Sequence, residues 1–189
     1  MNSTASEILA NPPQGGHIAY SYTGEAQLAE AVCRFAGAGL RKNEAAVLIV
    51  TAAHNGRIRA RLQDDGFNLP VLESEGLLAI ESAEDLLASF LFGGVLDELR
   101  FKTSIGRKIL SARWGAANHP NRPVRLFGEM VDLLWEAHPN TTQRMEELWN
   151  DIIETHRVPL LCAYSLGGSK PNALPPSLLA CHAHTAGLS

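Results

Sequence analysis

Three cysteines occur in 189 residues, Cys33, Cys162 and Cys181, far apart and with no CxxC pair. That spacing removes a disulfide framework, a thioredoxin-like dithiol and the common structural zinc motifs, so the three are read as buried free thiols. Positive charge is equally short: 16 Lys and Arg stand against 20 Asp and Glu, for a net charge of -4. With no basic block anywhere, direct nucleic-acid binding and attachment to an anionic membrane are both set aside. No apolar run approaches the roughly eighteen residues of a membrane span, and the start MNSTASEILANPPQGG has neither a basic n-region nor an apolar h-region. A cytoplasmic location is the expectation.

The glycine pattern that cradles phosphates is also missing. Where a nucleotide-binding chain would carry it, the sequence reads SYTGEAQLAEAV, with one glycine and an acidic Glu25 in place of a cation. Neither GxxxxGK[ST] nor GxGxxG occurs, so ATP hydrolysis is not expected. GxSxG and HExxH are absent as well. His182 and His184 are two residues apart on an expected helix and do not share a face, so no metal site is placed there. No catalytic residue and no cofactor are assigned.

The composition that is present is that of a well-buried globular chain, with 46% apolar and only 19% charged residues. Residues 1–16, broken by Asn11, Pro12, Pro13, Gly15 and Gly16, read as a flexible leader, and 17–189 as one domain. HIAYSYT, AAVLIVT, GLLAIES, VRLFGE and PLLCAYS read as five strands. Between them lie helical patterns over EAQLAEAVCRFAGAGLRK, TAAHNGRIRARLQDDGF, AEDLLASFLFGG, a longer segment ending near Asn118, MVDLLWEAH and TTQRMEELWNDIIETH. PSLLACHAH is expected as a last short helix. Alternation of covered strands with helices predicts an α/β three-layer sandwich, a mostly parallel central sheet of at least five strands with helices on both faces.

Ligands of such sheets gather at the carboxyl ends of the strands. Those ends supply Tyr20 and Tyr22, Thr51 and His54, Glu129 and Met130, and Tyr164, with Arg125 as a cation for Glu129. Glu129 interrupts the apolar stretch RLFGEMVDLLW, with Gly128 expected to let the chain turn. A carboxylate there is costly unless paired, which makes it a ligand contact or the partner of a cation such as Arg125. His54, opening a helix after a covered strand, suits a ligand contact near neutral pH. Trp135 and Trp149 read as core.

HIAYSYTGEAQL, VLIVTAAH, VRLFGEMVDLLW, MEELWND, PLLCAYS and LLACHAH, in that order, resemble the MEDS domain, the sensory domain named for methanogens, methylotrophs and the regulator DcmR. The resemblance spans roughly 17 to 184, and R-x-F-G-E-M, E-x-L-W-N and L-C-A-Y are its most specific pieces. It implies a RecA-like fold, related to circadian-clock ATPases, without a P-loop. It also implies a non-enzymatic sensor of a small molecule, proposed to be hydrocarbon-derived, that signals through a histidine kinase or transcription regulator; separately, helical faces bearing exposed Leu or Trp could form a homodimer. By position it places His17, Tyr20, His54, Arg125, Glu129, Cys162 and Tyr164 among the family's recurrent polar or thiol positions. Two other readings stand beside this one: a degenerate nucleotide-binding protein or enzyme, and a ligand-free interaction scaffold.

Overall fold

The covered apolar runs do become strands. The computed structural model describes residues 5–115, 121–168 and 170–187. Its elements in chain order are α1 (Ala5–Ala10), β1 (His17–Tyr22), α2 (Glu25–Leu40), β2 (Ala45–Val50), α3 (Ala52–Asp64), α4 (Leu69–Ser74), β3 (Leu78–Ser82) and α5 (Ala83–Ala88). Then follow β4 (Leu91–Phe92), β5 (Val95–Leu96), α6 (Glu98–Trp114), β6 (Val124–Gly128), α7 (Pro139–His156), β7 (Leu160–Ser165), α8 (Pro176–Leu179) and β8 (His184–Gly187).

Six strands form one sheet in the order β3-β2-β6-β7-β1-β8, and every pairing in it is parallel. All carboxyl ends therefore share one edge. Alternate side chains sort onto two faces, as the period of two in a strand requires. Ile18, Leu48, Phe127 and Leu161 pack under α1, α2, α3 and α4, whereas Ala19, Val47, Leu126 and Leu160 pack under α5, α6 and α7. Trp149 and Trp135 both lie in the second core, as expected.

The C-terminal stretch departs from expectation. After the short α8, the chain does not continue as helix through CHAH; it turns and adds β8 as a sixth strand beside β1, pairing Ile18 with His184 and Ala19 with Thr185. Alternation of His182 and His184 with small residues fits a strand better than a helix face. The leader also contains structure: in α1, Leu9 is buried, and its carbonyl and that of Ala10 accept from Arg125 Nη1 at 3.4 and 3.2 Å.

MVDLLWEAH is not a regular helix but a run of turns, with Asp132, Leu133 and Leu134 each donating to the carbonyl three residues back. The residues after Ala88 leave their helix for the hairpin β4-β5, where Gly93 and Gly94 adopt φ of 57° and 81°. Two positive φ values in a two-residue hairpin loop are what makes glycine the favoured residue there. The expected helix end near Asn118 lies outside the described residues.

Candidate functional site

At the shared carboxyl edge, three neighbouring segments deliver a compact polar cluster. Glu129 follows β6, and its own N–H donates to Ile49 O at 3.0 Å, which holds it against the end of β2. Its side chain is 0% exposed. Oε2 accepts from the Thr51 N–H at 2.8 Å and from the Thr51 hydroxyl at 3.3 Å, and Oε1 lies 2.5 Å from His54 Nδ1. Thr51 is the residue that precedes α3, so the carboxylate occupies that helix's N-terminus, where the dipole favours negative charge. Glu84 takes the next N–H, that of Ala52, at 3.0 Å.

His54 rides on the first turn of α3 and keeps 14% of its side chain exposed. Its hydrogen bond with Glu129 raises its pKa above the ordinary histidine value, against the opposing pull of burial. Tyr22 stacks edge-on against it with ring centroids 6.0 Å apart. Burial, helped by the charges of Asp132 and Glu129, pushes the Tyr22 phenol well up. Its hydroxyl lies close enough to Asp132 and Ser165 to feel both, yet has no partner in good hydrogen-bond geometry.

Asp132 pins the neighbouring loops. It accepts from Ser165 N–H at 2.8 Å, from the Ser165 hydroxyl at 2.9 and 2.8 Å, and from Trp135 Nε1 at 3.1 Å, and pairs with Lys170 at 3.1 Å. Neither Asp132 nor Ser165 was a sequence candidate. The signal for Ser165 was its place at the end of PLLCAYS; Asp132 was hidden by reading its segment as helix.

The sequence candidates divide. Thr51, His54, Glu129 and Tyr22 meet at the edge. Tyr20 lies in the α2-side core with its hydroxyl donating to Gln27 O at 3.4 Å, and Met130 is sealed in the opposite core. Arg125 sits at the amino end of β6 and cannot reach Glu129. Its guanidinium pairs with Glu44 at 2.5 Å and donates to Phe35 O at 2.9 Å, a structural clasp under α1 and α2. Tyr164 points to the other face and donates to Glu146. Gly128 is not in the left-handed region, and a Cβ there would meet only Trp149 Cζ2 at 3.8 Å, so the turn at Glu129 does not require a glycine.

In the place that a P-loop would take, a side chain already uses one backbone N–H and an acidic residue stands where a cation would be needed. Gln27 Oε1 accepts the Thr23 N–H at 3.2 Å, and Glu25 in the first turn of α2 pairs with Arg57 at 3.1 Å. Residues with the donor types of a metal site lie elsewhere, between β1, β7 and α7: His17, Glu146, Cys162 and His182, whose ligand atoms all fall within 4.8 Å of one another. Among them Glu146 was missed, because a glutamate within an amphipathic helix reads as surface charge.

The family model of the MEthanogen/methylotroph, DcmR Sensory domain matches residues 16–183. The chain belongs to the MEDS family. As a MEDS domain it is a sensory and signalling module of RecA-like three-layer fold, and its sequence carries no Walker A motif. Modules of this family signal through partner proteins. A solved KaiC-like protein from the hyperthermophilic archaeon Pyrococcus horikoshii OT3 is similar with a TM-score of 0.62 and 15% identity, over 94% of the MEDS chain and 73% of the other. At that identity the likeness establishes the fold. Comparison with curated proteins finds no match. No helix among the described residues is long and apolar enough to cross a membrane.

Proposed function

We propose that the carboxyl edge around Glu129 is the sensory site, and that it takes a small neutral or cationic molecule. The observation that carries this is Glu129 itself: a fully buried carboxylate held by the imidazole of His54, which keeps part of its side chain exposed. The Tyr22 hydroxyl beside it has a hydrogen bond to give, and the outward Nε2 of His54 has a second. Glu25, Glu84 and Asp132 surround the rim, so an anionic ligand such as a nucleotide meets like charge there.

Signalling follows if the ligand binds one arrangement of the edge better than another. The element placed to move is the segment after β7, tethered to Asp132 through Lys170 and to Glu136 by the same ammonium at 3.6 Å. A ligand that competes for Asp132 or turns His54 away from Glu129 would shift that segment, and a histidine kinase or transcription regulator would read the change.

The test is thermal unfolding with a panel of short-chain amines, alcohols and halogenated hydrocarbons, on wild type and Glu129→Gln. A ligand at about 100 times its Kd stabilises the fold by about 2.7 kcal/mol. The expected outcome is a hit that raises the wild-type Tm and loses most of that shift in the variant. Equal shifts in both proteins would place binding away from Glu129, and micromolar ATP binding would restore the nucleotide reading.

A further inference from the structure

Four buried donor atoms converge on one point beneath the opposite face of the sheet. His17 opens β1, Cys162 lies in β7 two pairs further along, Glu146 projects from α7, and His182 precedes β8. His17 Nε2 is 3.1 Å from Glu146 Oε2 and 3.4 Å from Cys162 Sγ. His182 Nε2 is 3.5 Å from the same Oε2, and Cys162 Sγ is 3.8 Å from it. Around an ion with bonds of about 2.0–2.3 Å, tetrahedral donors stand about 3.3–3.7 Å apart. Those four separations are already near that spacing, and all the donors lie within 4.8 Å of one another.

The hydrogen bonds behind the donors fix which lone pairs face inward. His17 Nδ1 approaches only oxygens, Asn150 Oδ1 at 2.9 Å and Cys181 O at 3.2 Å, so it must carry the proton. His182 Nδ1 likewise donates to Leu178 O at 2.8 Å. Both imidazoles therefore turn Nε2 toward the Glu146 carboxylate, and that of His182 has no hydrogen-bond partner among the described residues although it is fully enclosed. Tyr164 holds the other carboxylate oxygen by donating to Oε1. Outer partners that orient imidazole and carboxylate in this way are the usual surroundings of a bound metal. A buried ring nitrogen left without a partner is costly, and an ion held between it and the carboxylate would satisfy both.

We propose that His17, Glu146, Cys162 and His182 bind one divalent ion of the zinc class. Binding releases the Cys162 proton to solvent, and thiolate, carboxylate and dication then sum to zero charge, which suits a site closed to water. One sulfur, two imidazoles and one carboxylate favour zinc or cobalt over magnesium or calcium, which prefer oxygen donors only. All four positions are filled by protein, so the ion is structural, in keeping with a non-enzymatic module. It joins β1, β7, α7 and the lead-in to β8, and so fixes the last strand to the sheet.

The test uses the untagged chain and the metal alone. Elemental analysis is expected to find about one zinc per chain, retained through gel filtration. After removal by chelator, Co²⁺ should restore one equivalent with tetrahedral visible bands and a thiolate-to-cobalt band in the near ultraviolet. Cys162→Ser should lose the near-ultraviolet band, His182→Ala should weaken affinity at least tenfold, and His184→Ala, outside the quartet, should change neither. Should the variants misfold, the wild-type stoichiometry and spectrum decide alone. A folded wild-type chain that takes up less than a tenth of an equivalent, or a cobalt spectrum without a thiolate band, overturns the site and leaves protonated histidines as the partners of Glu146. Glu129→Gln should leave metal content unchanged, so this outcome is separate from that of the ligand screen.

Discussion

Two glutamate–histidine clusters sit on opposite faces of the same sheet, and they differ in what else reaches the carboxylate. Both glutamates are fully buried. Around Glu129 the partners are one imidazole that keeps 14% of its surface in water and the N–H and hydroxyl of one threonine. Around Glu146 they are two imidazoles at 3% exposure or less, a buried thiol and a buried phenol. The first arrangement can exchange a partner with solvent or a small molecule at low cost; the second cannot. An edge cluster is built to be disturbed, and an enclosed one to be kept.

Truncating each glutamate separates the two most strongly. Glu146→Ala takes the acceptor from Tyr164 and the carboxylate from between His17 and His182, and should lose about 3–5 kcal/mol in urea unfolding. Glu129→Ala should lose less, about 1–3 kcal/mol, because His54 can turn to water and only the Thr51 N–H is left enclosed. Equal losses would erase the distinction between open and closed.

Acidity offers a finer test. His54 has its pKa raised by Glu129, so its contribution to stability is complete below the unfolded value of about 6.5 and is lost as pH rises through the higher folded value. Wild type should therefore outlast His54→Gln most in Tm at about pH 5.5, with the gap closing toward about pH 8.5. A gap that widens with pH would mean His54 is not protonated against Glu129. The smallest effect should come from Gly128→Ala, at under ~1 kcal/mol, since the added methyl meets Trp149 at ordinary contact distance. A large loss there would show that the backbone before Glu129 is strained after all.

The edge cluster was partly legible because strand ends can be read from apolar runs, and Thr51, His54 and Glu129 all follow such ends. Arg125 was misassigned although the same reading could have excluded it: four residues before Glu129 on a strand, at about 3.3 Å each, it lies at the far edge. Tyr164 and Tyr22 both close strands, but alternation sends them to opposite faces once the pairing of Ser21 with Tyr164 is known. The enclosed cluster was harder. Its members come from HIAY, EELWN, LCAY and CHAH, each quoted for the family resemblance, and nothing local says they meet. Glu146 and Asn150 are one helical turn apart on the arc that carries Trp149, a polar pair on an apolar stripe, and that was the available clue. The adjacency of β1 to both β7 and β8 supplies the rest, and it is a property of topology alone.

That adjacency has a consequence for synthesis on the ribosome. Of the six strands in this sheet β1 is made before the others, yet it takes its place between β7 and β8, which follow all the rest. The strands β2, β3 and β6 can pair among themselves while β1, followed by α2, waits with both ladder edges bare. Non-local parallel pairing of this kind is slow and exposed to misassembly. In the nascent chain, HIAYSY is therefore the stretch with the longest need of shielding, and a holdase would find its target there.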